Sequence, residues 1–298
     1  MHIPVLLHEV ITQLGCQPGK FIIDGTLDGG GHAHEIIAHI MPDGLFLGID
    51  WDGGMVARTQ QMLRQTYAGV PQASLQFAHS SYEYAASLLR EKNLPLADGI
   101  LLDLGFSSLQ MEDADRGMSF QNDGLLDMRY DIESGEPASV IVNTYREEEL
   151  ADVIWRYGEE RFSRRIAHAI VDARTREKIT TTGMLAHIIF HAMPPQARHG
   201  KINPATKTFQ ALRIFVNHEL DNLTLFLASV RDVVRPGGRV VIITFHSLED
   251  RIVKHAYRDM QQRGWGTVIT KKPIIPSEDE REINRLSRSA KLRVIELH

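Results

Sequence analysis

Apolar positions in the first 110 residues follow two periods in turn. Short β-type runs, Phe21 to Ile23, Leu45 to Ile49, Leu75 to Ala78 and Gly99 to Leu104, are separated by segments 33–41, 55–67 and 82–92 whose apolar residues recur at helical spacing. Such alternation predicts an α/β fold, a parallel sheet with helices on both faces. After Gln110 it stops. Thr144 with Glu147 reads as a capping box opening a helix that turns Leu150, Val153, Ile154 and Tyr157 inward and closes at Gly158. A second helix, 159–176, places Phe162, Ile166, Ile170 and Ala173 inward, and a third, Thr182 to Met193, is stopped by Pro194-Pro195. One long helix is then predicted after Asn203-Pro204-Ala205, with Phe209, Leu212, Val216, Leu220, Leu223, Leu227, Val230 and Val234 in line until Arg235-Pro236-Gly237-Gly238. Arg239 to Phe245, Thr267 to Thr270 and Leu292 to Leu297 bring the strand candidates to seven. The pattern therefore divides the chain into a discontinuous sheet domain, 1–110 and 206–298, and a helical insertion, 111–205.

The first strand candidate runs into Asp24-Gly25-Thr26-Leu27-Asp28-Gly29-Gly30-Gly31-His32. A strand, a tight glycine turn and a helix start are the means by which open sheets bring backbone N–H groups to a nucleotide-like ligand. Asp50, at the end of the second strand, stands where such folds place a carboxylate for ribose hydroxyls. The fourth strand ends in Asp103-Leu104-Gly105-Phe106-Ser107-Ser108, an acid followed by small residues, which suits chemistry on an amino group. His246, after the fifth strand, is expected at the same sheet edge, whereas Ser247, Glu249 and Asp250 are accounted for as a cap and acids favouring the helix dipole.

The composition is that of an ordinary globular chain, 298 residues with 43% hydrophobic content. No apolar run approaches the roughly 20 residues of a membrane span, and the Met-His-Ile-Pro start lacks signal-peptide features, so a cytoplasmic location is expected. One cysteine, Cys16, gives neither an internal disulfide nor a thiolate cluster, and no metal is expected; the spacings His32/His34 and His187/His191 come without an evident third ligand. The net charge of −5 conceals an asymmetry: residues 1–150 carry 8 Lys+Arg against 22 Asp+Glu, a balance of −14, and residues 155–213 carry 11 against 4, a balance of +7. A further four basic side chains without an acid lie between Asn284 and Arg293. Positive charge confined to two segments is consistent with phosphate contacts there, or with two solvated faces.

Beyond these patterns, the chain resembles the RsmH (MraW) family, bacterial methyltransferases of the cytosine N4 amino group in small-subunit ribosomal RNA. The resemblance is carried by His8-Glu9, Asp24-Gly25-Thr26 with Gly29-Gly30-Gly31-His32, Asp103-Leu104-Gly105-Phe106-Ser107-Ser108 with Gln110, Asp115-Arg116-Gly117, Leu126-Asp127-Met128-Arg129, Tyr157-Gly158-Glu159-Glu160-Arg161-Phe162, Pro204-Ala205-Thr206, Phe209 to Ile214, Phe245 to Lys254 and Arg288 to Arg293. It implies a class I, Rossmann-like seven-strand methyltransferase domain interrupted by a helical RNA-recognition domain, with S-adenosylmethionine as cofactor. By the same resemblance Asp24, Gly30, Gly31, His32, Asp50, Ser81, Asp103 and Gln110 belong to the cofactor site. The chain departs from the family pattern at Asp28, Gly53-Gly54, Ser81, Leu109, Met118 and Leu286-Ser287, mostly around that site.

Methyl transfer to an amino nitrogen requires in-line alignment and an acceptor for the amino hydrogens, and Asp103 is the candidate. Asn203 and His246 are candidates for holding the base, with turn formation and capping as the alternative. Arg161, Arg164, Arg165, Lys201, Lys207, Arg213, Arg288, Lys291 and Arg293 are candidate RNA contacts, the partner being small-subunit ribosomal RNA or the small subunit itself. Methylation at cytosine C5 would need a thiolate, and Cys16 lies before the first strand with no proline beside it. Two other readings stay open: a dehydrogenase using the same turn for NAD, and a methyltransferase-like RNA-binding protein with weak, altered or lost activity. A homodimer is compatible with the sequence, which does not fix the oligomeric state.

Overall fold

The computed structural model describes residues 4–198, 200 and 203–298. Two compact units emerge: one runs up to Gly105 and resumes from Leu220 to His298, the other is Phe106–Glu219. In the first, the described residues form one seven-stranded sheet, β1 (Phe21–Asp24), β2 (Leu45–Asp50), β3 (Leu75–His79), β4 (Ala97–Asp103), β5 (Val234–Thr244), β6 (Gly266–Val268) and β7 (Lys291–Leu297), in the order β3-β2-β1-β4-β5-β7-β6. β1 to β5 are parallel, and β7 runs antiparallel to both β5 and β6. The seven strands fit the class I, Rossmann-like fold that the resemblance implies, and the structure adds their order. It turns back at β1/β4, so the carboxyl ends of these strands flank the switch point where open sheets bind ligands.

Period-2 alternation divides the central strands between two cores. Ile23, Ile49, Ile100, Leu102, Val240 and Ile242 pack with Phe226, Val253 and Tyr257 on one face. Ile22, Phe46, Leu101, Val241 and Ile243 pack with Val10, Ile36 and Ile37 on the other. Because both faces are covered, the strands read as continuous apolar runs. Among the described residues no helix is long and apolar enough to cross a membrane.

The second unit is helical, with a core drawn from Ile141, Leu150, Ile154, Ile166, Ile170, Leu185, Ile189, Phe209 and Leu212. Its bounds differ from 111–205 because Phe209 and Leu212, on the helix Thr206–Val216, pack into this core. The single long helix expected from there to Val234 is two helices, Thr206–Val216 and Glu219–Ser229. Asn217 causes the break: its amide donates to Met128 O at 2.7 Å and Arg213 O at 2.9 Å, its oxygen accepts from Tyr130 N–H at 2.7 Å, and His218 takes a left-handed φ of 49°. Val234 begins β5 instead of ending a helix.

Two predicted helix starts also shift. Thr144 closes the helix Ala138–Thr144, and the first-turn acid that bonds back is Glu149, whose carboxylate accepts from the Arg146 backbone N–H at 2.9 Å. The next helix begins at Ser163, not 159, because Glu159 adopts φ 49° as the C-cap of Glu147–Gly158.

Candidate active site

The turn after β1 stitches three strand ends together. Gly25 N–H donates to Leu101 O and Leu27 N–H to Ile49 O, both at 2.9 Å. The Thr26 hydroxyl oxygen accepts from Asp103 N–H at 2.6 Å, and Asp50 Oδ2 accepts from Asp28 N–H at 2.8 Å. Asp28 itself stands in the left-handed region, φ 47°, with its carbonyl accepting from the Thr59 hydroxyl at 2.9 Å. Gly30 has φ 80°, and a Cβ there would meet Thr59 Cγ2 at 2.7 Å; a Cβ on Gly31 would collide with the Pro4 ring. Gly30 also caps the helix Gly31–Ile40 without a side chain, leaving the first-turn N–H groups to other acceptors.

Four aspartates meet at this edge. Asp24 is fully buried, its Oδ1 accepts from Thr26 N–H at 3.3 Å, and its Oδ2 has no hydrogen-bond partner among the described residues. Burial, then the charges of Asp50 and Asp28, push its carboxyl well above the usual range despite the Thr26 bond. Asp50 accepts backbone N–H bonds from both Asp28 and Asp52 at 2.8 Å, yet burial still raises it to about 7. Asp103, with a side chain 10% exposed, leaves Oδ1 without a hydrogen-bond partner among the described residues. Desolvation and the charges of Asp28, Asp24 and Glu249 raise it strongly.

Around the acids, His32 is buried, with Nε2 2.9 Å from Val5 O and Nδ1 3.6 Å from Asp103 Oδ2. Ser81 is 4% exposed, and its hydroxyl has no hydrogen-bond partner among the described residues. His246 caps the helix Ser247–Gln262, where the sequence pointed to Ser247. Its Nδ1 accepts from Glu249 N–H at 3.4 Å and its Nε2 lies 3.0 Å from Glu249 Oε1, so both nitrogens face one residue. Glu249 Oε2 also accepts from Phe245 N–H at 2.8 Å. Glu249 thus anchors the loop after β5 as well as acting on Asp103, a role its reading as a dipole acid had missed. Thr26 was visible as part of a motif, but its bond to Asp103 depends on the register of β1 against β4.

Against this geometry, the model of the "MraW methylase family" matches residues 1–298. The chain belongs to the MraW methylase family. It is 46% identical over 297 residues to a "Ribosomal RNA small subunit methyltransferase H" of Koribacter versatilis, spanning 98% of this chain and 92% of that one. Proteins of the same name from Syntrophus aciditrophicus and Clostridioides difficile are 43% and 40% identical, each over 99% of this chain and 97% and 98% of theirs.

S-adenosylmethionine is the cofactor of this family and fold, and the donor set fits it. Among the described residues, buried oxygens at Asp24, Ser81 and Asp103 lack hydrogen-bond partners, Asp50 retains lone pairs beyond its two backbone bonds, and acids predominate where a cationic ligand would lie. Gln110 lies in the helical unit, where its Oε1 accepts from Ser107 N–H at 3.1 Å while the Ser107 hydroxyl accepts from Gln110 N–H at 3.0 Å. Its side-chain oxygen closes a capping box there.

The other candidates separate by burial. Arg161 and Arg164 are exposed, and the Arg161 guanidinium lies 4.6 Å from the Phe162 ring centroid. Arg165 is exposed but bonds Ala192 O, and Lys207 Nζ donates to Glu159 O at 3.1 Å. Arg213 is 8% exposed, paired with Glu219 at 2.9 Å and stacked on Phe106 at 4.8 Å, so its guanidinium braces the helical core instead of facing solvent. Arg293 is likewise buried, 2.7 Å from Asp250 Oδ1, with Lys291 3.3 Å from the other oxygen. Strand alternation turns Arg293 inward, which a count of basic residues does not register. Arg288 is exposed, and Lys201 lies outside the described residues. Asn203 Oδ1 accepts from Ala205 N–H at 2.9 Å, turning the chain into the helix Thr206–Val216.

Proposed function

We propose that this chain methylates the N4 amino group of a cytidine in small-subunit ribosomal RNA, acting in the cytoplasm. The whole-chain relationship to proteins named small-subunit ribosomal RNA methyltransferases supports the substrate class. The observation that carries the chemistry is Asp103: a nearly buried carboxyl at the end of β4 with an oxygen that has no hydrogen-bond partner among the described residues.

S-adenosylmethionine, when bound, supplies a methyl group on a cationic sulfonium. Asp24 and the helix start at Gly30–Gly31 would hold its methionine end, acid toward ammonium and N–H groups toward carboxylate, while Asp50 takes the ribose hydroxyls and Ser81 adds a donor or acceptor. Asp103 accepts the amino hydrogens of the target base, keeping the nitrogen lone pair directed at the methyl carbon as the nitrogen pyramidalises. The acceptor form is the carboxylate, which the fold alone disfavours, so a nearby cation is what returns Asp103 to its working state. His32, 3.6 Å from Asp103, is a positioning residue. The exposed Arg161, Arg164, Arg165, Lys207 and Arg288 are the RNA contacts, and Asn203 and His246 position the loops that begin their helices.

Mass spectrometry of ribosomal RNA nucleosides from cells with and without the gene tests the proposal. One N4-methylated cytidine should disappear on deletion and return with the wild-type gene but not with Asp103→Ala. Unchanged modification on deletion overturns it, and rescue by Asp103→Ala removes Asp103 from the chemistry.

A further inference from the structure

Pro4, Val5 and Leu6 precede the helix Leu7–Leu14 and contact the start of the helix that follows the glycine turn. The Pro4 ring fills the space a Cβ on Gly31 would take, with Pro4 Cγ 2.4 Å from that position, and Val5 O lies 2.9 Å from His32 Nε2. A carbonyl only accepts, so this contact requires the proton on Nε2. In the neutral ring that leaves the lone pair on Nδ1, the nitrogen 3.6 Å from Asp103 Oδ2. Leu6 is buried at φ 54°, a left-handed conformation that a non-glycine residue keeps only where its surroundings hold it. The holding group is remote: Leu6 N–H donates to Glu280 Oε1 at 2.8 Å, across 274 positions of the chain. Glu280 is itself fixed on the helix Glu278–Ile283, its N–H donating to Ser277 Oγ at 3.1 Å and its carbonyl accepting from Asn284 N–H at 2.7 Å. Ile274, just before that helix, is bridged to Leu292 on β7 by N–H to O bonds of 3.0 and 2.8 Å.

We infer that Glu280 is a positioning residue of the cofactor site, acting through Leu6 and Val5 on Gly31 and His32. The inference rests on the cofactor assignment above. With its acceptor in place, Leu6 is held in the left-handed bend, Val5 O stays on His32 Nε2, and the ring keeps one tautomer and one orientation beside Asp103. Without it, Leu6 leaves the bend for the ordinary backbone regions, Val5 O is released, and the start of the helix at Gly31 loses the Pro4 ring. Cofactor binding must then order the segment as well as fill the site, so part of the binding free energy goes into that ordering. The effect falls first on cofactor affinity, because Gly31 and His32 are the residues reached. It falls equally on S-adenosylmethionine and S-adenosylhomocysteine, which share the methionine ammonium and carboxylate.

Isothermal titration of the intact protein with both ligands, with melting curves alongside, tests this in three variants. Glu280→Ala removes the acceptor, Glu280→Asp keeps the charge but falls one methylene short of Leu6 N–H, and Glu280→Gln keeps an oxygen of the same reach. Glu280→Ala should weaken both ligands about tenfold, the order of one hydrogen bond to a charged acceptor, and Glu280→Gln should stay within about threefold of wild type. Glu280→Asp should fall between them. In transfer assays the cofactor KM of Glu280→Ala should rise about tenfold while the KM for RNA stays within about twofold. Asp279→Ala, an exposed neighbour on the same helix, should change neither. A Glu280→Ala protein that melts lower but binds both ligands as wild type does makes Glu280 a helix cap alone and overturns the inference. Equal weakening by Gln and Ala also overturns it, since acceptance from Leu6 N–H is then not the cause. If Glu280→Ala does not fold, Gln against Asp decides, and equal affinities in those two overturn it. If wild type binds neither ligand, the cofactor assignment itself fails, an outcome distinct from unchanged affinity in the variants.

Discussion

β4 carries two aspartates five positions apart, and the fold treats them in opposite ways. Asp98, near its amino end, accepts from Phe21 N–H at 2.8 Å and Lys20 Nζ at 3.0 Å, and pairs with Arg235. Those partners outweigh its desolvation and hold its carboxyl below the usual value. Asp103, at the carboxyl end, has acids for neighbours, an unsatisfied oxygen and a carboxyl raised well above the usual range. One end of the strand is finished by the protein itself. At the other end an acceptor oxygen has no hydrogen-bond partner among the described residues, and such a missing partner is what singles out a candidate functional carboxylate.

The two ends should respond oppositely to neutralisation. Asp98→Ala leaves Phe21 N–H and two cations without their acceptor and should cost about 1–2 kcal/mol in denaturant melts, a figure kept low by the exposure of Arg235 and Lys20. Asp103→Asn removes a repelled charge and should stabilise the ligand-free protein by up to about 1 kcal/mol at pH 8, although transfer is lost. Equal destabilisation by both changes would erase the contrast.

Stability against pH sharpens the same comparison. Asp50 has a folded value of about 7, above its unfolded value of about 3.9, so its contribution is fully present below pH 4 and is lost as pH rises to about 7. Asp24 and Asp103 are raised in the same direction. Asp98 and Asp250 are lowered, so their contribution is present above about pH 4 and is lost as pH falls through their folded values. Ligand-free melting temperature should therefore decline between about pH 4 and 7, and Asp50→Asn should flatten that decline without moving the acid limb. A melting temperature that rises across this interval equally in both proteins contradicts the assignment.

The smallest effect concerns arginine. Arg164 is exposed, so Arg164→Ala should leave the melting temperature alone and lower the salt slope of RNA binding by about 1, read from affinities at several salt concentrations. An unchanged slope removes it from the interface.

Sequence alone determined the elements and most of their positions. Continuous apolar runs bounded by Asp24, Asp50 and Asp103 are legible as buried parallel strands because burial on both faces leaves no other pattern, and the glycine turn between β1 and the next helix follows from the same reading. Tertiary structure decided whether a given side chain is available. Arg213 and Arg293 share the composition of a phosphate-binding surface but lie in buried ion pairs, and the break at Asn217 comes from bonds to Met128 and Tyr130, nearly ninety positions away in the chain. Asp28 shows the division most clearly. Its identity and place in the turn are local facts, but its effect on Asp24, Asp50 and Asp103 exists only because parallel pairing brings three strand ends together, and electrostatic interaction depends on that distance in space and not on separation along the chain.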